Sequence, residues 1–158
     1  GIDVKKYIDA SFGTPEKDEL NAIATFISGM SKGAPVKVRA EHPKEKQMYE
    51  LGKRMFYYIG GTHDFSCATC HGEEGKRIRL QDLPYLPSKK GSGVAWTSWP
   101  AYRVSAGQMW GMQWRINDCF RQQRFPEPVY ASDVTIALSM YMAANAEGAK
   151  MDTPGIKR

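Results

Sequence analysis

Cys67, Cys70 and His71 stand together in the stretch CATCHGEEGK, which holds two of the chain's three cysteines and one of its three histidines. The C-x-x-C-H spacing lets two thiols add to the two vinyl groups of one porphyrin while the adjacent histidine turns its imidazole toward the iron, the pattern of a c-type haem attachment site. On this reading Cys67 and Cys70 form the thioethers and His71 is the proximal ligand. A structural zinc site and a redox-active dithiol compete with it. Zinc needs four well-placed nitrogen or sulfur ligands, which the chain barely supplies even counting Cys119. The dithiol belongs beside a βαβ pattern, which is missing. Covalent haem attachment implies an oxidising, extracytoplasmic compartment for the finished protein.

Cys119 is then the odd residue. In such a compartment an unpaired thiol is open to oxidation, and with Cys67 and Cys70 consumed by haem it has no intramolecular disulfide partner. One reading is a buried, inert cysteine; the other is a reactive or metal-bound sulfur. The surrounding QWRINDCFRQQR puts Arg115 one helical turn before Cys119 on the same face, with Arg121 and Arg124 close in sequence. Guanidinium beside a thiol favours thiolate, and cationic surroundings attract a small anion.

The elements that must position these residues are helical. The chain has 158 residues and 42% apolar content, enough for one ordinary domain with an appendage. Its net charge of +5 favours an anionic partner or substrate. It carries no Lys/Arg run dense enough for a nucleic-acid patch, and no apolar stretch of membrane-spanning length. It has neither an initiator Met nor a signal peptide, so the expectation is a processed secreted protein or a piece of a longer one. Thr14 to Lys32 reads as a helix with Thr14 as N-cap, Pro15 in the first turn, Leu20, Ile23, Ala24, Ile27 and Met30 on one face, and a stop at Gly33. Ala34 to Pro43 reads as an extended linker, with a boundary near residue 40. Lys44 to Ile59 is a second amphipathic helix with Met48, Leu51, Met55 and Tyr58 on one face. From Gly72 to Pro100 the chain is rich in Gly, Pro, Ser and Lys, and is expected to wrap over a flat apolar object. Ser105 with Gln108 forms a capping box for a third helix through about Gln122. A fourth, about Asp133 to Ala146, carries Val134, Ala137, Leu138 and Tyr141 on one side. No strand pattern is convincing, so the fold class is all-α with long loops.

Three stretches, SCATCHGEEGKRIRLQDLP, SWPAYRVSAGQMWGMQWRINDCFRQQRFPEP and ALSMYMAANAEGAKMDTPGIKR, together with DELNAIATFISGMSKGAPVKV, resemble the SoxA family, the catalytic c-type cytochrome subunits of the bacterial sulfur-oxidising complex SoxAX. The resemblance spans nearly the whole chain. It implies a class I cytochrome c-like domain over residues 41–158, in which the helix with Gly52 and Phe56 crosses the helix with Leu138 and Tyr141. Residues 1–40 are implied to be the C-terminal part of an N-terminal cytochrome-like domain plus linker. Cys67, Cys70 and His71 match the family's attachment motif for one covalently bound haem c. Cys119 matches the cysteine whose sulfur is the distal haem ligand, often modified to a persulfide, and Arg115 matches the arginine beside it. The implied activity is that of a periplasmic L-cysteine S-thiosulfotransferase. It conjugates thiosulfate oxidatively to a cysteine on the arm of the SoxYZ carrier and passes electrons to the haem of a SoxX-type partner, in a heterodimer or larger complex, with no membrane span and no nucleic acid.

The chemistry of the residues is compatible with this. A low-pKa Cys119 suits formation of a sulfur–sulfur bond, and Arg115 can orient a dianion by charge-assisted hydrogen bonds. Oxidative joining of two sulfurs releases two electrons, whereas one haem iron ordinarily stores one, so a partner haem protein is expected. The alternative is a monohaem electron-transfer cytochrome c with a Met distal ligand, Met109 or Met112, although both fit core positions of the third helix. His42 and His63 read as surface residues. Trp96, Trp99, Trp110 and Trp114 fit packing around a porphyrin or an interface equally well.

Overall fold

The computed structural model describes residues 3–11, 14–78 and 80–158. In chain order they form helices α1 (Val4–Asp9), α2 (Pro15–Met30), α3 (Pro43–Tyr57) and α4 (Cys67–His71), then strands β1 (Arg77–Ile78) and β2 (Gln81–Asp82) and helix α5 (Lys89–Thr97). Strand β3 (Ala101–Arg103), a 3-10 turn (Val104–Ala106), β4 (Gln108–Trp110), α6 (Met112–Gln122), α7 (Asp133–Asn145) and β5 (Gly155–Lys157) follow. Among the described residues no helix is long and apolar enough to cross a membrane.

The crossing of α3 and α7 is the spine. Gly52 and Phe56 are the buried residues of α3 and meet Ala137, Leu138 and Tyr141 of α7, so the buried stripe lies beside the Met48, Leu51, Met55 and Tyr58 face read from the sequence; Tyr58 is exposed. The rings of Tyr49 and Phe56 pack on Tyr141 at centroid distances of 5.4 and 5.3 Å. Polar ties close the layer: Tyr49 Oη donates to Asn145 Oδ1 (3.0 Å), and Asn145 Nδ2 donates to the Leu86 carbonyl (3.2 Å). Leu86, Ile116 and Phe120 complete this core with Phe56, Leu138, Tyr141 and Met142.

Three local expectations change. The long loop contains the nine-residue helix α5, capped by Ser88 Oγ accepting from Gly91 N (3.0 Å). Its glycines are no obstacle there, because Gly91 lies against the Tyr85 backbone where a Cβ would overlap. The third helix begins at Met112 and not near Ser105. Ser105 sits in the 3-10 turn, Gly107 takes a left-handed φ of 65°, and Gln108–Trp110 runs antiparallel to Ala101–Arg103. Backbone pairing outcompetes the capping box, and Gly111 becomes the N-cap. The chain also contains short strands: β5 adds in parallel to β3, giving the order β4-β3-β5, and β1 pairs with β2. They are too short to show a period.

Residues 34–42 are free of helix, as the linker reading expects, although Pro43 already opens α3; the stretch nonetheless pairs with the segment after α7, Val36 N donating to the Ala149 carbonyl and Gly148 N to that of Val36. Helix α2 ends as expected near Gly33, and Asn21 Nδ2 reaches the Met109 carbonyl (3.3 Å). Its apolar residues Ile23, Phe26, Ile27 and Met30 remain exposed.

Candidate functional site

Helix α4 is short because its two ends are fixed. Ser66 Oγ accepts from Thr69 N (3.1 Å), and Ser66 N donates to Thr69 Oγ1 (2.9 Å), a closed capping box. Gly72 ends the helix, its N–H donating to the Ala68 carbonyl (2.7 Å). Cys67, Cys70 and His71 thereby project from one turn, and all three line a cavity of about 580 Å³. His71 Nδ1 lies 2.9 Å from the Pro84 carbonyl. A carbonyl only accepts, so Nδ1 carries the proton and Nε2 keeps its lone pair. Burial holds the His71 pKa below its ordinary value, with the Pro84 hydrogen bond acting the other way. A neutral imidazole oriented by a backbone carbonyl is the form in which histidine ligates a metal.

Helix α6 supplies another wall. Arg115 and Cys119, four residues apart, both line the cavity, with Ile116 and Phe120 beside them in the core. Sequence reasoning missed Asp118, which is 5% exposed and accepts from Arg115 Nη1 (3.0 Å), Arg121 Nη2 (2.6 Å) and Gln122 Nε2 (2.7 Å). The i, i+3 and i, i+4 spacing of charged and polar partners was the available signal. Asp118 fixes the Arg115 side chain and offsets its charge.

That offset changes the expected state of the thiol. Burial pushes the Cys119 pKa up; Arg115 opposes this, Asp118 adds to it, and Cys70 and Arg103 act more weakly in opposite senses. The thiolate expected from arginine proximity alone is therefore not favoured by the protein without a metal, because desolvation outweighs the guanidinium. Cys67 is pushed up to about 12 by burial and then by Cys119. The three cysteines are free, so Cys67 and Cys70 are not joined as a disulfide.

Two cavity residues come from the small sheet. Arg103 on β3 and Lys157 on β5 are register partners, and both line the cavity with Arg103 placed over the Trp110 ring at 5.5 Å. Nothing local marks them, since their approach depends on pairing between strands far apart in the sequence. Of the other candidates, Met112 lines the cavity at the start of α6, while Met109 sits on β4 opposite Tyr102 and does not. His63 is exposed, and His42 caps α3 by accepting from Lys44 N (3.1 Å). Trp99 faces this cavity; Trp96 and Trp114 line a second one under α2, and Trp110 stacks on Trp114 at 4.0 Å.

These residues suit a covalently attached haem. Two free thiols and an imidazole with a free Nε2 stand at one slot whose remaining walls include Phe56, Leu86, Ile116, Leu138 and Met142, and a further sulfur enters from α6. A zinc cage fits less well. Among the described residues no group of three or more His, Cys, Asp or Glu side chains converges as a metal-ligand cluster.

No family model matches the chain. Over 158 residues, the whole of the chain, it is 57% identical to the L-cysteine S-thiosulfotransferase subunit SoxA of Hydrogenophilus thermoluteolus. The chain belongs to the SoxA family. It is also 45% identical over 145 residues to the SoxA subunit of Hydrogenobacter thermophilus. It spans 58% of the first SoxA relative and 54% of the second. The crystal structure of SoxXA from P. pantotrophus superposes with a TM-score of 0.75 at 24% identity, over 94% of this chain and 52% of that one. The expected all-α, cytochrome c-like fold is thus the fold of this SoxA chain, with the short strands as additions to it.

Proposed function

We propose that the chain is the haem-bearing catalytic part of an L-cysteine S-thiosulfotransferase, conjugating thiosulfate to a cysteine of a carrier protein of the SoxYZ type. The observation that carries this is the meeting of Cys67, Cys70 and His71 from α4 with Cys119 and Arg115 from α6 around one cavity. Cys67 and Cys70 would hold one haem c by thioether bonds, and His71 and Cys119 are the residues that would ligate its iron. When bound, the haem supplies a one-electron acceptor beside the reacting sulfur. The overall change is R–SH + S2O3²⁻ → R–S–S–SO3⁻ + H⁺ + 2e⁻, where R–SH is the carrier cysteine: one S–S bond forms, one S–H bond breaks, and both electrons leave. They go to the haem of a SoxX-type cytochrome subunit, in a heterodimer or larger assembly. Cys119 presents the sulfur at which exchange occurs. Arg115, held by Asp118, offers its remaining N–H donors to the sulfonate oxygens. The periplasm is the compartment that haem attachment calls for. We further assign residues 1–40 to the end of an N-terminal domain plus linker and 41–158 to the haem domain; the exposed apolar face of α2 supports the assignment.

Intact mass of the purified protein tests the first step. An increment of one haem on the peptide holding Cys67 and Cys70 is expected; a colourless chain of bare polypeptide mass would remove the proposal. Arg115→Ala is expected to lower thiosulfate turnover by about tenfold or more while haem content stays that of the wild type, because Asp118 keeps Arg121 and Gln122 as donors. Steady-state kinetics with unchanged turnover would take Arg115 out of the mechanism. Met112 in the cavity wall keeps one second reading, an electron-carrying cytochrome with that residue as distal ligand. A Met–iron charge-transfer band in the oxidised protein would favour it.

A further inference from the structure

The positive charge around the cavity is unevenly compensated. Asp118 pairs with both Arg115 and Arg121, so their charge is offset even though Arg115 keeps N–H donors to offer. Arg103 has no ion pair among the described residues, and its Nε is buried without a hydrogen-bond partner. Its neighbour across the parallel pairing, Lys157, also lines the cavity, lies half-buried, and has no ion pair within the described residues. Arg158 follows on the same lining. The acidic residue on the lining is Asp82, whose carboxylate is bound by Arg77 at 2.9 Å.

A buried guanidinium N–H left without an acceptor costs free energy. The Arg103 guanidinium lies over the Trp110 ring at 5.5 Å, a cation–π contact that uses none of its N–H donors. Such a fork is preorganised for an oxyanion, and a dianion needs more positive charge than the neutralised Arg115–Asp118 pair supplies. The β3–β5 register sets Lys157 beside it.

We propose that Arg103, assisted by Lys157, is the principal anion-binding residue of the cavity and holds the sulfonate end of thiosulfate, leaving its terminal sulfur for Cys119. This rests on the thiosulfate chemistry proposed above and adds the residue that sets affinity for the dianion. The carboxylates of a bound haem have the same oxyanion chemistry, so the test separates the two sources.

Arg103→Gln is compared with wild type as the haem-loaded full chain assembled with its electron-accepting partner, following thiosulfate KM, kcat, haem content and visible spectrum. The expected result is a KM raised by about tenfold or more, with kcat changed less than KM and haem content and spectrum unchanged. Arg103→Lys is expected to restore most of the affinity, and Lys157→Gln to raise KM by a smaller factor. An unchanged KM in Arg103→Gln, or a loss of haem content or altered spectrum with KM intact, overturns the assignment and gives Arg103 to the haem carboxylates. Should Arg103→Gln fail to fold, Lys157→Gln decides: an unchanged KM there overturns the paired site. A wild-type assembly without turnover overturns the functional reading and this inference with it. Wild-type turnover alongside an unaffected Arg103→Gln overturns the inference alone.

Discussion

Replacing Cys119 with alanine is expected to abolish conjugation of thiosulfate while leaving a folded protein that still carries haem. The side chain faces the cavity from α6, so its truncation widens an existing space and creates no new void among Phe56, Ile116, Phe120 and Leu138. The helix is untouched, since alanine is its best former, and Asp118 keeps its three donors. What is lost is the sulfur. Deleting a reacting group typically lowers kcat by roughly a thousandfold or more, and losing a sulfur that would ligate the haem iron would raise the reduction potential and change the ferric optical and EPR signatures. Conjugation is read on the carrier cysteine by mass and the ligand by spectroscopy. A ferric spectrum identical to wild type would end the ligand assignment; a normal rate would end the role of Cys119 as the reacting sulfur.

The second large effect is structural. Gly52→Ala is expected to destabilise the protein, although alanine is favoured over glycine in a helix interior by about 1 kcal/mol. At the crossing of α3 with α7 a Cβ on residue 52 would overlap the Ala137 carbonyl oxygen and come within 2.6 Å of the carbonyl carbon and 2.9 Å of Tyr141 Cβ. Those are backbone atoms and a Cβ, which no rotamer change can move aside. The helices must part, at about 3 kcal/mol or more, and parting them opens the core of Phe56, Leu138 and Tyr141. For a chain of this size the loss corresponds to a fall in Tm of about 6–12 °C, read by thermal unfolding of the haem-loaded protein. A variant more stable than wild type would mean that helix propensity wins and the crossing is looser than described.

Both outcomes depend on residues whose importance was unequally visible beforehand. C-x-x-C-H and the Arg115–Cys119 turn were legible because each is contained in one or two turns of helix, where spacing alone dictates which side chains share a face. Helices α2, α3 and α7 were legible from their apolar periodicity and caps. The strand Gln108–Trp110 reads as helix from sequence because three residues show no period, and it exists only through its pairing with Ala101–Arg103, which in turn pairs on its other edge with Gly155–Lys157. Likewise α5 was hidden by glycines whose benefit, close approach to the Tyr85 backbone, exists only after packing.

By itself the sequence determined the local chemistry: a thiol pair with its histidine, a lone cysteine one turn from an arginine, and the helices that carry them. The tertiary structure alone decided that α4 and α6 share one cavity, that Asp118 offsets the charge of Arg115, that burial outweighs arginine at the Cys119 thiol, and that Arg103 and Lys157 meet from strands far apart in the sequence. The physical reason is range. Helical periodicity is set by neighbours three and four residues away, whereas strand register, burial and the balance of charges depend on groups that only the folded chain brings together.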